Sequence, residues 1–360
     1  MSHVNVQKPL WRELLPPVLA WLVFFVHHYT DIPFFNILVL AALLWATMQA
    51  VHHAEVVAHR VGQPFGSLIL ALSVTAIEAA LIISMMLASG EEGKTIARDT
   101  VFAAVMIILN GMVGISIFAG SVRFREQKFI LGGVNAAVIT LIAISILTLV
   151  LPNYTVSVPG PFYSDKQLIF VAIVSLILYA SFVFVQNFQH RDHFIELQDQ
   201  EHADEDKPTR RQTIISSLLL LTCLGAVVML AEAMAPDLHH LLDRYQLPHS
   251  LVGVVIACIV LLPEGLTAYQ AAKNNELQQS LNLSLGSALA SIGLTIPIVS
   301  IVSIATGTQI TLGIEAVPTI LFLLTLLIII LSLSIGRTTV LHGITLLIIF
   351  LTYIFTIIFP

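Results

Sequence analysis

Apolar runs of membrane length recur along this chain, separated by short polar breaks. A helix crossing a bilayer needs about 20 mostly apolar residues. On that measure eleven spans are predicted, near 14–30, 33–51, 66–88, 100–121, 132–151, 167–187, 213–234, 249–270, 281–305, 316–335 and 340–359. The first two are joined by the tight connection Asp31-Ile-Pro33, and Pro64, Pro152, Pro208 and Pro248 fall in loops or at helix entries, where a missing N–H is tolerated. The one strongly polar stretch, His190 to Gln212, holds Asp192, Glu196, Asp199, Glu201, Asp204, Glu205 and Asp206, and divides the spans six and five. Setting the first helix aside leaves five plus five. Because five is odd, the second set enters the membrane with the opposite polarity, which is the condition for an inverted repeat. The expected fold is an all-α polytopic membrane protein of about 11 transmembrane helices, one N-terminal helix plus two inverted five-helix repeats. Its parts would be 1–31 (N-terminal helix), 32–189 (first repeat), 190–212 (acidic cytoplasmic loop) and 213–360 (second repeat).

Composition agrees with that pattern. The chain is 57% hydrophobic and 11% charged, with mean hydropathy +0.92, against about 25% charged residues in soluble domains. A globular cytosolic protein is excluded, the partner is a lipid bilayer, and no nucleic-acid surface is expected. The net charge of −6 adds little, since most charges sit in short loops. Cys223 and Cys258 fall inside apolar runs as small core residues, with no disulfide or metal-type spacing. Lys8 and Arg12 precede the run Leu14–Tyr29 without a small-residue cleavage site, so a retained first helix is expected, not a signal peptide. With the N-terminus inside, the inner segments carry twelve basic residues (Lys8, Arg12, Arg60, Arg123, Arg125, Lys128, Arg191, Lys207, Arg210, Arg211, Lys273 and Arg337), and the outer ones carry four, Lys94, Arg98, Lys166 and Arg244. The positive-inside rule then places the N-terminus in the cytoplasm and the C-terminus outside.

Two glutamates break the apolar pattern. Glu78 lies deep in the third span and Glu264 in the eighth, each the second helix of its set of five. A charge at mid-bilayer costs about 2.5–3.5 kcal/mol on insertion scales, so such residues point to function. Matching positions in two halves point to one cation site between them. Ser67, Ala71, Thr75 and Glu78 share one helical face. In the ninth span Ser284, Ser287, Ser291 and Thr295 recur at three- and four-residue steps among small Gly286, Ala288 and Ala290. Hydroxyls there would either help replace a cation's hydration shell or line close-packed seams. The fourth span offers a weaker counterpart, Asn110-Gly-Met-Val-Gly114. Pro263 precedes Glu264 and frees a carbonyl one turn back, near Ile259 and Val260, so an unwound stretch offering carbonyl oxygen is expected. The candidate cation and proton site is therefore Glu78 and Glu264, with Thr75, Ser287 and Ser291.

Other polar residues read differently. Asp99 beside Arg98, and Glu232, are expected at solvated helix ends, and His52, His53, His59, His239, His240 and His342 at interfacial edges. No His-Glu-x-x-His spacing for zinc hydrolysis exists. Adjacent histidines point to different helix faces, which argues against haem. With neither a nucleophile–base pair nor metal-ligand spacing, an enzyme is not expected. A channel is disfavoured for want of a repeated short filter segment. The acidic loop is either a solvated hinge or a segment that attracts divalent cations.

The run Ala58-His-Arg-Val-Gly-Gln-Pro-Phe-Gly-Ser-Leu-Ile-Leu70 followed by Glu78 resembles the bacterial ChaA-type members of the calcium/cation antiporter superfamily, related to the CAX exchangers. Leu262-Pro-Glu-Gly-Leu266, Ser284-Leu-Gly-Ser287, Pro297 and Gly336-Arg-Thr338 resemble its second half, so the likeness covers nearly the whole chain. The resemblance implies a bacterial inner-membrane antiporter exchanging cytoplasmic Ca²⁺, or in some members Na⁺ or K⁺, for protons, with Glu78 and Glu264 as the repeat glutamates. Ions are then substrates, no cofactor is expected, and a homo-oligomer stays open. The broader pattern places Gly-Asn shortly before each glutamate; here Val74-Thr75 and Val260-Leu261 stand there. Without those amide oxygens, Na⁺(K⁺)/H⁺ exchange with weak or no Ca²⁺ transport is the alternative.

Overall fold

A computed structural model describes residues 10–29, 35–62, 65–91, 93–189 and 208–359. Most of the acidic loop (190–207), the Asp31-Ile-Pro33 connection, Pro64 and Lys8 lie outside the described residues, as does the side chain of Ser67. The chain is almost wholly helical: α1 (Leu10–Tyr29), α2 (Phe35–Val61), α3 (Phe65–Ala88), α4 (Gly93–Met106), α5 (Val113–Phe124), α6 (Leu131–Ser145), α7 (Asp165–Phe184), α8 (Arg210–Arg244), α9 (Leu251–Lys273), α10 (Leu277–Thr306), α11 (Ala316–Leu333) and α12 (Val340–Ile358). A π-helical turn, Ile107–Met112, joins α4 to α5 into one rod. Among the described residues, ten helical stretches are long and apolar enough to cross a membrane, while α1 holds a shorter apolar stretch, Glu13–His27. This is the multi-pass all-α architecture that the hydropathy pattern predicts.

Helix ends differ from the apolar runs for a physical reason. α2 continues to Val61 where the run stops near 51, the α4–α5 rod starts at Gly93 and not near 100, and α8 reaches Arg244, beyond 234. Hydropathy marks the lipid-crossing part of a helix. The backbone stays helical past it until something stops it, as Gly62 does with φ +75° just after α2.

The first five helical spans after α1 are α2, α3, α4–α5, α6 and α7; the second five are α8 to α12. We call the end of the bundle where α3 begins the lower end. There β1 (Glu126–Lys128), after the third span of the first set, pairs antiparallel with β2 (Arg337–Thr339), after the fourth span of the second. At the upper end the roles are exchanged. The segment 307–315 follows the third span of the second set and docks on 151–164, which follows the fourth span of the first. Ile314 N–H donates to the Leu149 carbonyl (2.9 Å), and Asn153 Nδ2 donates to the Ile314 carbonyl (2.6 Å). Helix packing is exchanged in the same way: α10 lies on α3 and α7, the α4–α5 rod lies on α9 and α12, and α2 lies along α8. A two-fold axis in the membrane plane produces this pattern.

The rod and α10 form the centre. Nearly all of 96–110 and 288–297 is buried, as expected for helices apolar on every side. Gly253 of α9 lets that helix touch α4 backbone to backbone; a Cβ there would lie 2.6 Å from the Asp99 carbonyl carbon.

Candidate functional site

The two glutamates arrive on different helices and meet one stripe of α10. Glu78, on α3, accepts a hydrogen bond from Ser291 Oγ at 2.7 Å. Glu264, on α9, accepts a short one from Ser287 Oγ. Ser287 and Ser291 are four residues apart, about 6 Å along the axis at 1.5 Å per residue. The two serines that hold the carboxylates are thus one helical turn apart. Glu78 is 2% exposed and its Oε1 is buried with no hydrogen-bond partner. Glu264 is half-buried. Thr75 is buried one turn before Glu78 on the same face of α3. Ser284 and Thr295 extend the α10 stripe below and above, both buried with unpartnered hydroxyls.

Packing along α10 differs below and above this cluster. Asn282, Leu283, Gly286 and Ser287 of α10 are partly exposed below the glutamates, and a Cβ on Gly286 would meet nothing within 4 Å. From Ala288 to Gly293 the helix is buried, and Gly293 packs against Tyr179 of α7, with a Cβ position 3.0 Å from that side chain. One helix thus leaves open space beside Gly286 and forms a close-packed seam at Gly293. The apolar groove between α1 and α8, lined by Trp21, Phe25, Leu219 and neighbours, contains none of these residues.

Several expectations are corrected. α9 is helical straight through Pro263, with no unwound stretch. Pro263 removes only the donor to the Ile259 carbonyl, and the helix runs on past it. Asp99 is not solvated: its side chain is 13% exposed and its Oδ1 accepts from Arg98 Nε at 2.7 Å, while Arg98 also donates to the Gly313 carbonyl. The upper loop that covers this pair is distant in sequence. Cys258 is exposed on the outer surface of α9, unlike buried Cys223. Its apolar run is mostly buried, from Val252 to Leu261, and Cys258 occupies the one exposed position within it. His53 is fully buried, with Nε2 3.3 Å from Gln49 Nε2, because α2 runs past the expected interface.

Other polar contacts were not foreseen. Asn110 is buried in the π-helical turn and donates from Nδ2 to Thr325 Oγ1 at 3.0 Å, leaving Oδ1 without a partner. Gln127 of β1 donates to the Ala272 carbonyl at 2.9 Å. A lone polar residue in an apolar run was the available signal for Asn110; its partner 215 residues away was not legible.

The family described as sodium/calcium exchanger protein matches residues 32–188 and 215–359. The chain belongs to the sodium/calcium exchanger family. A Sinorhizobium fredii protein, y4hA, whose name classes it with ionic transporters, is 42% identical over 343 residues, covering 94% of this chain and 93% of the relative. The sodium-potassium/proton antiporter ChaA of Escherichia coli is 34% identical over 353 residues, covering 96% and 95%. The crystal structure of the H⁺/Ca²⁺ exchanger CAX superposes with a TM-score of 0.73 at 15% identity, covering 98% of this chain and 89% of that one, so the fold is shared. Membership of the ChaA-type, CAX-related branch agrees with the motifs around Glu78 and Glu264.

Proposed function

We propose that this protein is a secondary-active antiporter of the bacterial inner membrane that exports Ca²⁺ in exchange for protons. The observation that carries the proposal is the pair of carboxylates on one stripe of α10, with Glu78 Oε1 buried and unpartnered. A buried carboxylate oxygen with no donor is satisfied by a proton or by a cation. Two adjacent carboxylates then take either one divalent ion or two protons, which makes the exchange obligatory. Ca²⁺ prefers six to eight oxygens. Four carboxylate oxygens together with the hydroxyls of Thr75, Ser287 and Ser291 supply that number, with water completing the shell. The exchanged loops and helix contacts support division into two five-helix halves that rock around the fixed site. With the N-terminus cytoplasmic, the lower end faces the cytoplasm, from which the exported ion is taken up.

A second reading, Na⁺(K⁺)/H⁺ exchange, is favoured by two observations. Val74-Thr75 and Val260-Leu261 contribute no amide side chains before the glutamates. The Escherichia coli relative is also named for sodium, potassium and protons. Purified protein in proteoliposomes carrying a pH gradient tests both. Dissipation on adding Ca²⁺ supports the first reading; dissipation by Na⁺ or K⁺ alone replaces it with the second; no dissipation with any of them refutes both.

A further inference from the structure

At the upper end, α3 and α9 are tied together by a hydrogen-bonded chain that the exchange chemistry above does not use. Ser89, one residue past α3, places Oγ 3.1 Å from His239 Nε2. His239, on α8, places Nδ1 3.1 Å from His249 Nδ1. His249, two residues before α9, places Nε2 3.3 Å from Asp243 Oδ1. The same two helices, α3 and α9, carry Glu78 and Glu264.

The protons in this chain have one consistent order. An ionised carboxylate only accepts, so His249 Nε2–H donates to Asp243 and leaves Nδ1 as an acceptor. His239 Nδ1–H then donates to His249, and His239 Nε2 accepts from the Ser89 hydroxyl. Every link is made with both imidazoles neutral. One further proton fits on His239 Nε2 if Ser89 turns to accept. A second has no such place, because it sets N–H against N–H across the 3.1 Å contact and puts like charges on rings 5.3 Å apart.

We propose that Ser89, His239 and His249 are positioning residues of a proton-sensitive upper gate, which holds α3 to α9 while the cation site is open below and lets go when both imidazoles are protonated. The inference rests on the antiport reading and on the packing of α10, with open space at Gly286 below and a packed seam at Gly293 above. Other titratable or charged groups on the elements meeting there are Asp237 paired with His27 of α1, Glu91 paired with Lys94, Asp99 paired with Arg98, and His240 and Arg244, which are exposed. Imidazoles are the side chains whose charge changes between about pH 5 and 8. Of those here, His239 and His249 form the pair that reaches from α3 to α9. Protons arriving from the upper side would thus open the gate on the side from which they enter.

Two readouts on H239Q, H249Q and the native protein test this gate. Glutamine keeps a neutral polar group and takes no proton. The first readout is cation-dependent proton flux, with the pH of each compartment varied separately. The native protein should show, on one face only, a rate component changing by up to about tenfold per pH unit in the imidazole range. Both variants should lose it and still exchange at alkaline pH. The second is hydrogen exchange at the upper ends of α3 and α9, corrected for its intrinsic pH dependence, which reads the gate without transport. It should accelerate in the native protein as the pH falls from about 8 to about 5 and stay level in the variants. Variants that keep the native profile, or native helix ends that stay equally protected throughout, would overturn the gate. Absent flux together with pH-dependent helix ends would refute the antiport reading and leave the gate supported.

Discussion

Glu78 and Glu264 owe their placement to two serines on a third helix. Ser291 donates to Glu78 and Ser287 to Glu264, so each carboxylate has one oxygen fixed while Glu78 Oε1 has no donor. A hydrogen bond to a charged group contributes about 1.5–3 kcal/mol. Ser291→Ala should therefore weaken the apparent cation affinity about 10–100-fold while the protein still inserts and folds. A cation titration of proton movement measures this, and an unchanged half-saturating concentration would show that the serine does not orient the site. These residues stood out in the sequence because a polar atom is costly in an apolar run. The pairing of each serine with its glutamate was not legible, since the partners are 213 and 23 residues apart. His53 was misplaced for the same reason. Adjacent pairs at helix ends suggest an interface, and only folding shows that Gln49 lies beside one and Ser89 beside the other.

Between helices, glycines separate the tight contacts from the open ones. A Cβ at Gly253 would come within 2.7 Å of the Thr100 backbone nitrogen, whereas one at Gly286 meets nothing. Gly253→Ala should force α9 away from α4 at a cost of about 1–3 kcal/mol, the usual range for overpacking. Gly286→Ala should leave stability unchanged or raise it by about 0.5–1 kcal/mol through helix propensity. Thermal unfolding in detergent distinguishes the two, and equal midpoints would mean that α9 and α4 are not in backbone contact. Number and order of helices were readable from hydropathy alone, because length and apolarity together define a span. Their ends were not. The lower third of α2 and the upper turns of α8 are polar enough to leave the apolar count yet remain helical. Nor did Pro263 break α9: one lost donor did not interrupt the helix.

For the molecule as a whole, the informative feature is the double exchange of loops, β1 with β2 below and 307–315 with 151–164 above. Odd-numbered halves suggested opposite polarity, and the exchanged contacts give it physical form, with each half clasping the other at opposite ends. The glutamates lie between these two ends, on helices of different halves. The claim beneath this account is that one pair of carboxylates serves metal ions and protons by turns. Proton movement driven by a cation gradient in proteoliposomes of the native protein, E78Q and E264Q tests it most directly. The account predicts exchange in the native protein and none in either variant, with all three inserted and equally stable in detergent; exchange that persists in both variants would contradict it.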